Sequence, residues 1–301
     1  MDVAELQERF AVPGVLGFEQ TAPGLVVARI TGPAAEATVY LQGAHLTHWK
    51  PVGQAPVLFL SARSEFAPGK PIRGGVPVIF PWFGPRHDGK AGPQHGFART
   101  EVWDLAFAAV AGDDLHLTFT LAPSEASRKL GFGDLRLAYR MVIGRRLTLE
   151  LTVANDSATA VQFEEALHTY FAVAEVRSAT VEGLAGTEYI DKRDRMRRKL
   201  QPEGAMTLTE TTDRVYLKTT AACAIGDVAG GRRIVVEKSG SRSTVVWNPW
   251  AELAATMADM EPDGWRTMLC VETANVGEDA VTLEPGATHT MRAKISLEAL
   301  R

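Results

Sequence analysis

Hydrophobic and polar positions change period once along this chain. At the start, Val3, Leu6 and Phe10 fall on one helical face, Asp2 and Glu5 have the spacing of a capping box, and Pro13 closes the segment. After Pro13 the period becomes two. Residues 25–31 (LVVARIT), 37–41, 45–49 and 57–61 alternate as strands do, with Gly and Pro between them. The alternation returns at 100–110, 115–121, 135–143 and 146–153, the last two joined through Gly144 in the manner of a hairpin. It continues at 161–173, 179–183, 233–237, 244–247, 268–272 and 289–297. Residues 124–131 (SEASRKLG) predict one or two helical turns. Short strands at roughly 8–12-residue spacing, with almost no helix, predict an all-β fold: a large antiparallel sandwich with few short helices. No repeat of fixed period and no linker divides the chain, so one domain over residues 1–301 is expected.

Residues 73–100 (RGGVPVIFPWFGPRHDGKAGPQHGFART) break this pattern. Pro77, Pro81, Pro85 and Pro93 interrupt any hydrogen-bonded ladder. The aromatic and aliphatic side chains, among them Phe80, Trp82, Phe83 and Phe97, argue for an ordered loop, because a disordered segment would lack them. Arg73, His95 and Arg99 within it place cations and a histidine at the mouth of a site. Arg86 and Lys90 lie in the same loop but are not counted as ligands.

Composition narrows the class. An apolar fraction of 46% and a charged fraction of 23% are ordinary for a soluble globular protein. A net charge of −4 gives no reason to expect nucleic acid or an acidic membrane surface as partner. Cys223 and Cys270 are far apart and form no CxxC, so neither a disulfide framework nor a zinc site is expected, and a reducing cytoplasm fits best. The first ten residues lack the order of a signal peptide, and no apolar run approaches the roughly 20 residues a membrane span needs.

Candidate chemistry lies in three further stretches. In residues 161–171 (VQFEEALHTYF), strand alternation puts Gln162, Glu164, His168 and Tyr170 on one face and Phe163, Leu167 and Phe171 on the other. His168 is then either a cleft residue or a histidine hydrogen-bonded inside the sandwich. In 268–276 (MLCVETANV), Glu272 near the end of an apolar strand is paired, catalytic, or simply reached by water. In 244–250 (TVVWNPW), the tryptophans are core or a sugar-stacking wall. Residues 192–199 (KRDRMRRK), interrupted by Asp194, read as a solvated loop. His45 and His48, three apart on a strand, face opposite sides and make poor joint metal ligands. No nucleotide-binding or serine-hydrolase motif is present.

Taken together, RGGVPVIFPWFG, PQHGFAR, LHTYF, DRVY, VVWNPW and CVETANV resemble, in order and spacing, the D-hexose-6-phosphate mutarotases, a branch of the aldose 1-epimerase superfamily. The resemblance spans about residues 20–298 and implies a galactose-mutarotase-like β-supersandwich. It implies that His168 is the general acid and Glu272 the general base. It implies that Arg73, Gln94, His95, Arg99 and Asp213 bind substrate, with the arginines on the phosphate and Asp213 on a sugar hydroxyl. Relatives often turn after the glutamate, whereas Thr273, Ala274 and Asn275 follow it here.

The implied chemistry suits these residue types. Anomer exchange removes the C1 hydroxyl proton, protonates the ring oxygen, and opens the C1–O5 bond; the aldehyde rotates and the steps reverse. No metal or other cofactor is required, and a small-molecule sugar phosphate is the expected partner of a monomer. The histidine would have to start protonated, so a neighbouring acceptor is expected to hold its pKa near neutral. Two other readings remain: a non-catalytic sugar-phosphate-binding module on the same fold, and a mutarotase for unphosphorylated aldoses. A glycoside hydrolase would need two suitably spaced carboxylates.

Overall fold

The computed structural model describes residues 1–22 and 24–300. Its first element is the expected helix, Val3–Phe10, with the backbone N–H of Glu5 donating to Asp2 Oδ1 and that of Asp2 to Glu5 Oε2. Only Leu6 of this helix is fully buried. Everything else of size is strand. Among the described residues the strands form sheets of nine, eight, four and two members. All pairings in the two largest are antiparallel.

The nine-stranded sheet is half wet. In Leu135–Ile143 the buried positions are Leu135, Leu137, Tyr139, Met141 and Ile143, while Arg136 and Arg140 reach solvent. On that outer face Arg140 and Arg292 both pair with Glu150. This is the clean alternation of an antiparallel sheet with one dry face, which is why the sequence pattern found these strands.

The eight-stranded sheet is covered on both faces at its centre. Met268–Asn275 is buried at every position. Leu269 and Val271 point into the main core, while Val245 and Ala274 join Ile79, Phe83, Ala166 and Val215 in a separate apolar cluster. Val245 pairs with Glu272, and Trp247 with both Cys270 and Asp213, so these residues share the face carrying the second cluster. The strands of this sheet lose the alternation that one solvated face would impose.

Several expectations change as a result. Residues 161–173 are three strands: Val161–Phe163, Glu165–Leu167 and Tyr170–Ala172. The first pairs in the two-stranded sheet, and only the others join the large one. Glu164 therefore does not share a face with His168; its carboxylate accepts from the N–H groups of Phe83 and Gly277. Residues 57–61 make isolated bridges through Leu58 and Leu60. Strands the pattern passed over include Leu16–Gln20, Glu188–Asp191, Arg197–Leu200, Thr212–Tyr216 and Cys223–Asp227. Arg197–Leu200 (RRKL) ends the sheet, where charge guards an open edge and erases the apolar signal.

Two glycines let residues 73–100 pack at close range, at Gly75 against the strand His45–Pro51 and at Gly96 against the loop's own Phe80. Gly75 has φ +63°, and a Cβ there would collide with the carbonyl oxygen of Leu46. Gly96 has φ +70°, and a Cβ there would strike the carbonyl of Phe80. The N–H groups of Phe97 and Ala98 donate to that same carbonyl at 3.0 and 3.3 Å, so the loop is bonded back on itself.

Candidate active site

Glu272 occupies the middle of its strand, which continues to Asn275, so the carboxylate does not meet bulk water at a strand end: it is 1% exposed. The Thr-Ala-Asn that follows extends the strand where a turn would have ended it. Glu165–Leu167 and Tyr170–Ala172 pair with this strand in one continuous register, Leu167 with Thr273 and Tyr170 with Cys270. The gap between them puts His168 opposite Glu272. In that gap the N–H of His168 donates to the carbonyl of Pro77 at 3.1 Å and that of Tyr170 to the carbonyl of Gly75 at 2.9 Å. His168 Nε2 lies 3.4 Å from Glu272 Oε1. The imidazole is stacked on Tyr170, with ring centres 4.7 Å apart and planes 13° from parallel, and meets His95 and Trp247 edge-on.

One cavity of about 310 Å³ receives all seven residues expected at the site: Arg73, Gln94, His95, Arg99, His168, Asp213 and Glu272. Two clefts of about 580 Å³ elsewhere contain no histidine. Lys192 also reaches the site cavity, 3.4 Å from Asp213 and 5.2 Å above the Phe83 ring. Residues 192–199 are thus only partly a solvated run: the first of them turns inward while the rest stay on the rim. Composition cannot separate one lysine from its cationic neighbours. Trp247 borders the cavity, in keeping with the wall reading for that residue, whereas Trp250 packs against Trp265 with ring centres 4.5 Å apart. Arg86 turns away, pairing with Asp88 and lying over Trp82.

The loop fixes the chemistry of its own histidine. His95 Nδ1 accepts from the N–H of Gly84 at 3.1 Å, which leaves the ring proton on Nε2. Burial, then Arg99, Lys192 and Arg73, lower its pKa to about 3, so His95 is a neutral donor. Arg73 donates through Nε to Asp259 Oδ2 at 3.0 Å, with Nη2 ion-paired 2.9 Å from the same oxygen, and through Nη1 to the Tyr170 hydroxyl at 2.9 Å. Among the described residues Arg99 is held only by the carbonyl of Gln94, 2.7 Å from Nη2, and its Nε is buried without a partner. Burial lowers the Arg99 pKa to about 10, which still leaves it charged at neutral pH.

Burial acts in opposite directions on the central pair. It raises the Glu272 pKa well above the carboxylate range, Asp213 adding to the effect and Lys192 opposing it. It drives the His168 pKa well down, with His95, Arg73 and Arg99 pushing the same way. Among the described residues, His168 Nδ1 and both Glu272 oxygens have no hydrogen-bond partner. Burial thus disfavours both an imidazolium at His168 and a carboxylate at Glu272, and the expected holding of the His168 pKa near neutral is not met, although Glu272 Oε1 stands 3.4 Å away. Asp213 is also raised, by burial against the opposing pull of Lys192.

The known proteins to which this chain is similar are consistent with one another. A protein of Salmonella typhimurium, assigned provisionally by its name as a glucose-6-phosphate 1-epimerase, is 40% identical over 241 residues, 80% of each chain. One of Escherichia coli K12 with the same provisional name is 39% identical over 246 residues, 82% of each chain. The crystal structure of a provisionally assigned mutarotase from Salmonella typhimurium superposes with a TM-score of 0.89 at 34% identity, covering 97% of this chain and 96% of the other. A model of the aldose 1-epimerase family matches residues 27–296. With its large antiparallel sheets and this shared sequence, the chain belongs to the aldose 1-epimerase family.

Proposed function

We propose that this protein is an isomerase that interconverts the α and β anomers of D-hexose 6-phosphates, glucose 6-phosphate foremost. The observation that carries the reading is the 3.4 Å approach of His168 to Glu272 in a cavity that also holds Arg73 and Arg99. A hexose 6-phosphate has its ring oxygen bonded to C5, and C5 carries the phosphorylated C6. The acid that protonates the ring oxygen should therefore stand on the phosphate side. His168 is the member of the pair that feels Arg73 and Arg99, whereas Glu272 feels Asp213 and Lys192. The names of the relatives agree with the same substrate class.

In this reading the substrate's own charge readies the site. A phosphate against Arg73 and Arg99 offsets the positive field that opposes an imidazolium at His168. The carboxyl proton passes from Glu272 to His168 across their 3.4 Å contact, and from that ion pair Glu272 takes the C1 hydroxyl proton while His168 gives one to O5. The C1–O5 bond breaks and the C1 carbonyl forms. The pair is left as neutral imidazole and protonated carboxyl, the state the buried site already favours, so the open-chain stage is stabilised. Rotation about C1–C2 and the reverse transfers close the other anomer. His95, as a fixed donor, and Asp213 hold ring hydroxyls. All these groups come from one chain, so a monomer suffices.

The test is the α/β exchange rate of glucose 6-phosphate by NMR saturation transfer, with free glucose and galactose alongside. Acceleration confined to the phosphorylated sugar supports the reading. Equal acceleration of free sugars would leave the acid–base pair and remove the phosphate from the proposal. Binding without acceleration would point to a non-catalytic sugar-phosphate module.

A further inference from the structure

Arg73 and Arg99 reach the same cavity, but their partners differ. Arg73 is neutralised: Asp259 Oδ2 takes the Nε–Nη2 edge of its guanidinium, the edge best suited to a bidentate oxyanion. Arg99 has no carboxylate partner and keeps a buried Nε–H unpaired. Asp259 comes from the segment after the helix Trp250–Ala254, and Met257, two residues earlier, lines the cavity itself. The Asp259 side chain is 30% exposed and therefore has a path to solvent. Its charge is also felt at Arg99. A carboxylate thus sits on one guanidinium, within the field of the other.

We propose that Asp259 is a displaceable counter-ion, occupying the oxyanion edge of Arg73 until the substrate's phosphate takes its place. This rests on the phosphate reading of the site and names the residue that sets its selectivity. With Asp259 in place, the Arg73–Asp259 and Lys192–Asp213 pairs leave Arg99 as the arginine with an uncompensated charge. A phosphate dianion brings enough charge to displace the carboxylate and use both arginines. A neutral sugar cannot displace it. Tyr170 keeps its bond to Nη1 throughout and holds the guanidinium in place while its partner changes.

The test is calorimetric titration of inorganic phosphate and glucose 6-phosphate into the wild type, Asp259→Asn, Asp259→Ala, Arg73→Ala and the Asp259→Asn/Arg73→Ala double variant. Both single Asp259 variants are expected to bind phosphate about fivefold more tightly, the scale of one partly exposed ion pair. That gain is expected to vanish in the double variant relative to Arg73→Ala. Equal or weaker binding by Asp259→Asn overturns the proposal and makes Asp259 an orienting residue for Arg73. A gain that persists without Arg73 also overturns it, since the effect is then a general one of charge. If no protein binds either anion while free sugars still exchange, the phosphate reading of the site fails, and the counter-ion role with it.

Discussion

His168 and Glu272 stand directly across from each other on neighbouring strand segments, in a register that passes unbroken through the gap between Leu167 and Tyr170. The ladder is interrupted at the one place where a histidine must turn toward its partner. On the side away from Glu272, the N–H groups of His168 and Tyr170 donate to the carbonyls of Pro77 and Gly75, continuing the register in which Leu167 meets Val78. The loop therefore holds the backbone of the gap from one side while the Glu272 strand flanks it on the other.

Replacing either partner should stop the chemistry and spare binding. Glu272→Gln and His168→Asn are each expected to lower kcat for anomer exchange by about 10³-fold, within the usual range for general acid–base groups. Glucose 6-phosphate should still bind with an affinity close to that of the wild type. Saturation transfer and calorimetry on the same preparations separate the two quantities. Loss of binding in step with rate would show that the pair only shapes the cavity.

The same pair should make stability depend on pH with opposite signs. The folded pKa of Glu272 lies above its ordinary 4.5, so above pH 4.5 the unfolded chain releases a proton that the native one retains. Stability contributed by Glu272 is thus present below pH 4.5 and falls as pH rises beyond it. Glu272→Gln should be more stable than wild type at pH 7 in denaturant titrations, with the difference closing towards pH 4.5. His168 is depressed below 6.5, so its contribution is lost as pH falls from 6.5. His168→Gln should gain on wild type in that acidic window and differ little above it in this respect.

Phosphate and hydroxyl recognition should separate by residue. Arg99→Ala is expected to raise KM for glucose 6-phosphate about 10- to 100-fold, the value of one charge-assisted contact, and to leave any exchange of free glucose nearly unchanged. Asp213→Asn should weaken phosphorylated and free sugars alike, because a carboxylate near Glu272 addresses the ring and not the phosphate. KM values for both substrates in both variants decide this; identical profiles for the two variants would remove the division of labour.

The packing of the loop back on its own Phe80 should depend on Gly96. Alanine there would add a Cβ against the Phe80 carbonyl at a positive φ, and is expected to cost about 3 kcal/mol. Gly84→Ala, also at positive φ but with nothing near the added Cβ, should cost only about 1 kcal/mol. Urea unfolding of the two variants gives the comparison.

Strands of the nine-stranded sheet such as Leu135–Ile143 were legible because one face is wet: Leu135, Leu137, Tyr139, Met141 and Ile143 alternate with exposed or half-buried neighbours, whereas Cys223–Asp227 of the same sheet, buried throughout, was passed over. The site sheet carried a weaker signal. Residues 244–247 and 268–272 read as strands, but Met268–Asn275 is buried throughout, so its run to Asn275 showed no alternation, and Arg197–Leu200 on a charged edge was passed over. Residue types and motif order still singled out the seven cavity residues, since arginine, histidine and carboxylate in those motifs are few. Lys192 escaped because it differs in no local property from the cations beside it; its burial over Phe83 comes from a strand pairing made far away in the chain.

The chain's own order of residues was enough to determine that it is built of antiparallel strands, that an ordered Gly- and Pro-rich loop interrupts them, and which histidine and glutamate to examine. Those properties are local, set by side-chain period and by backbone permissions at Pro and Gly. The direction in which His168 and Glu272 titrate, the pairing of Arg73 with Asp259, and the buried, unpaired Nε–H of Arg99 were decided only by the tertiary structure. Each depends on burial and on charges brought together from positions up to 186 residues apart, and a pKa or an ion pair responds to distance in space, not to distance along the chain.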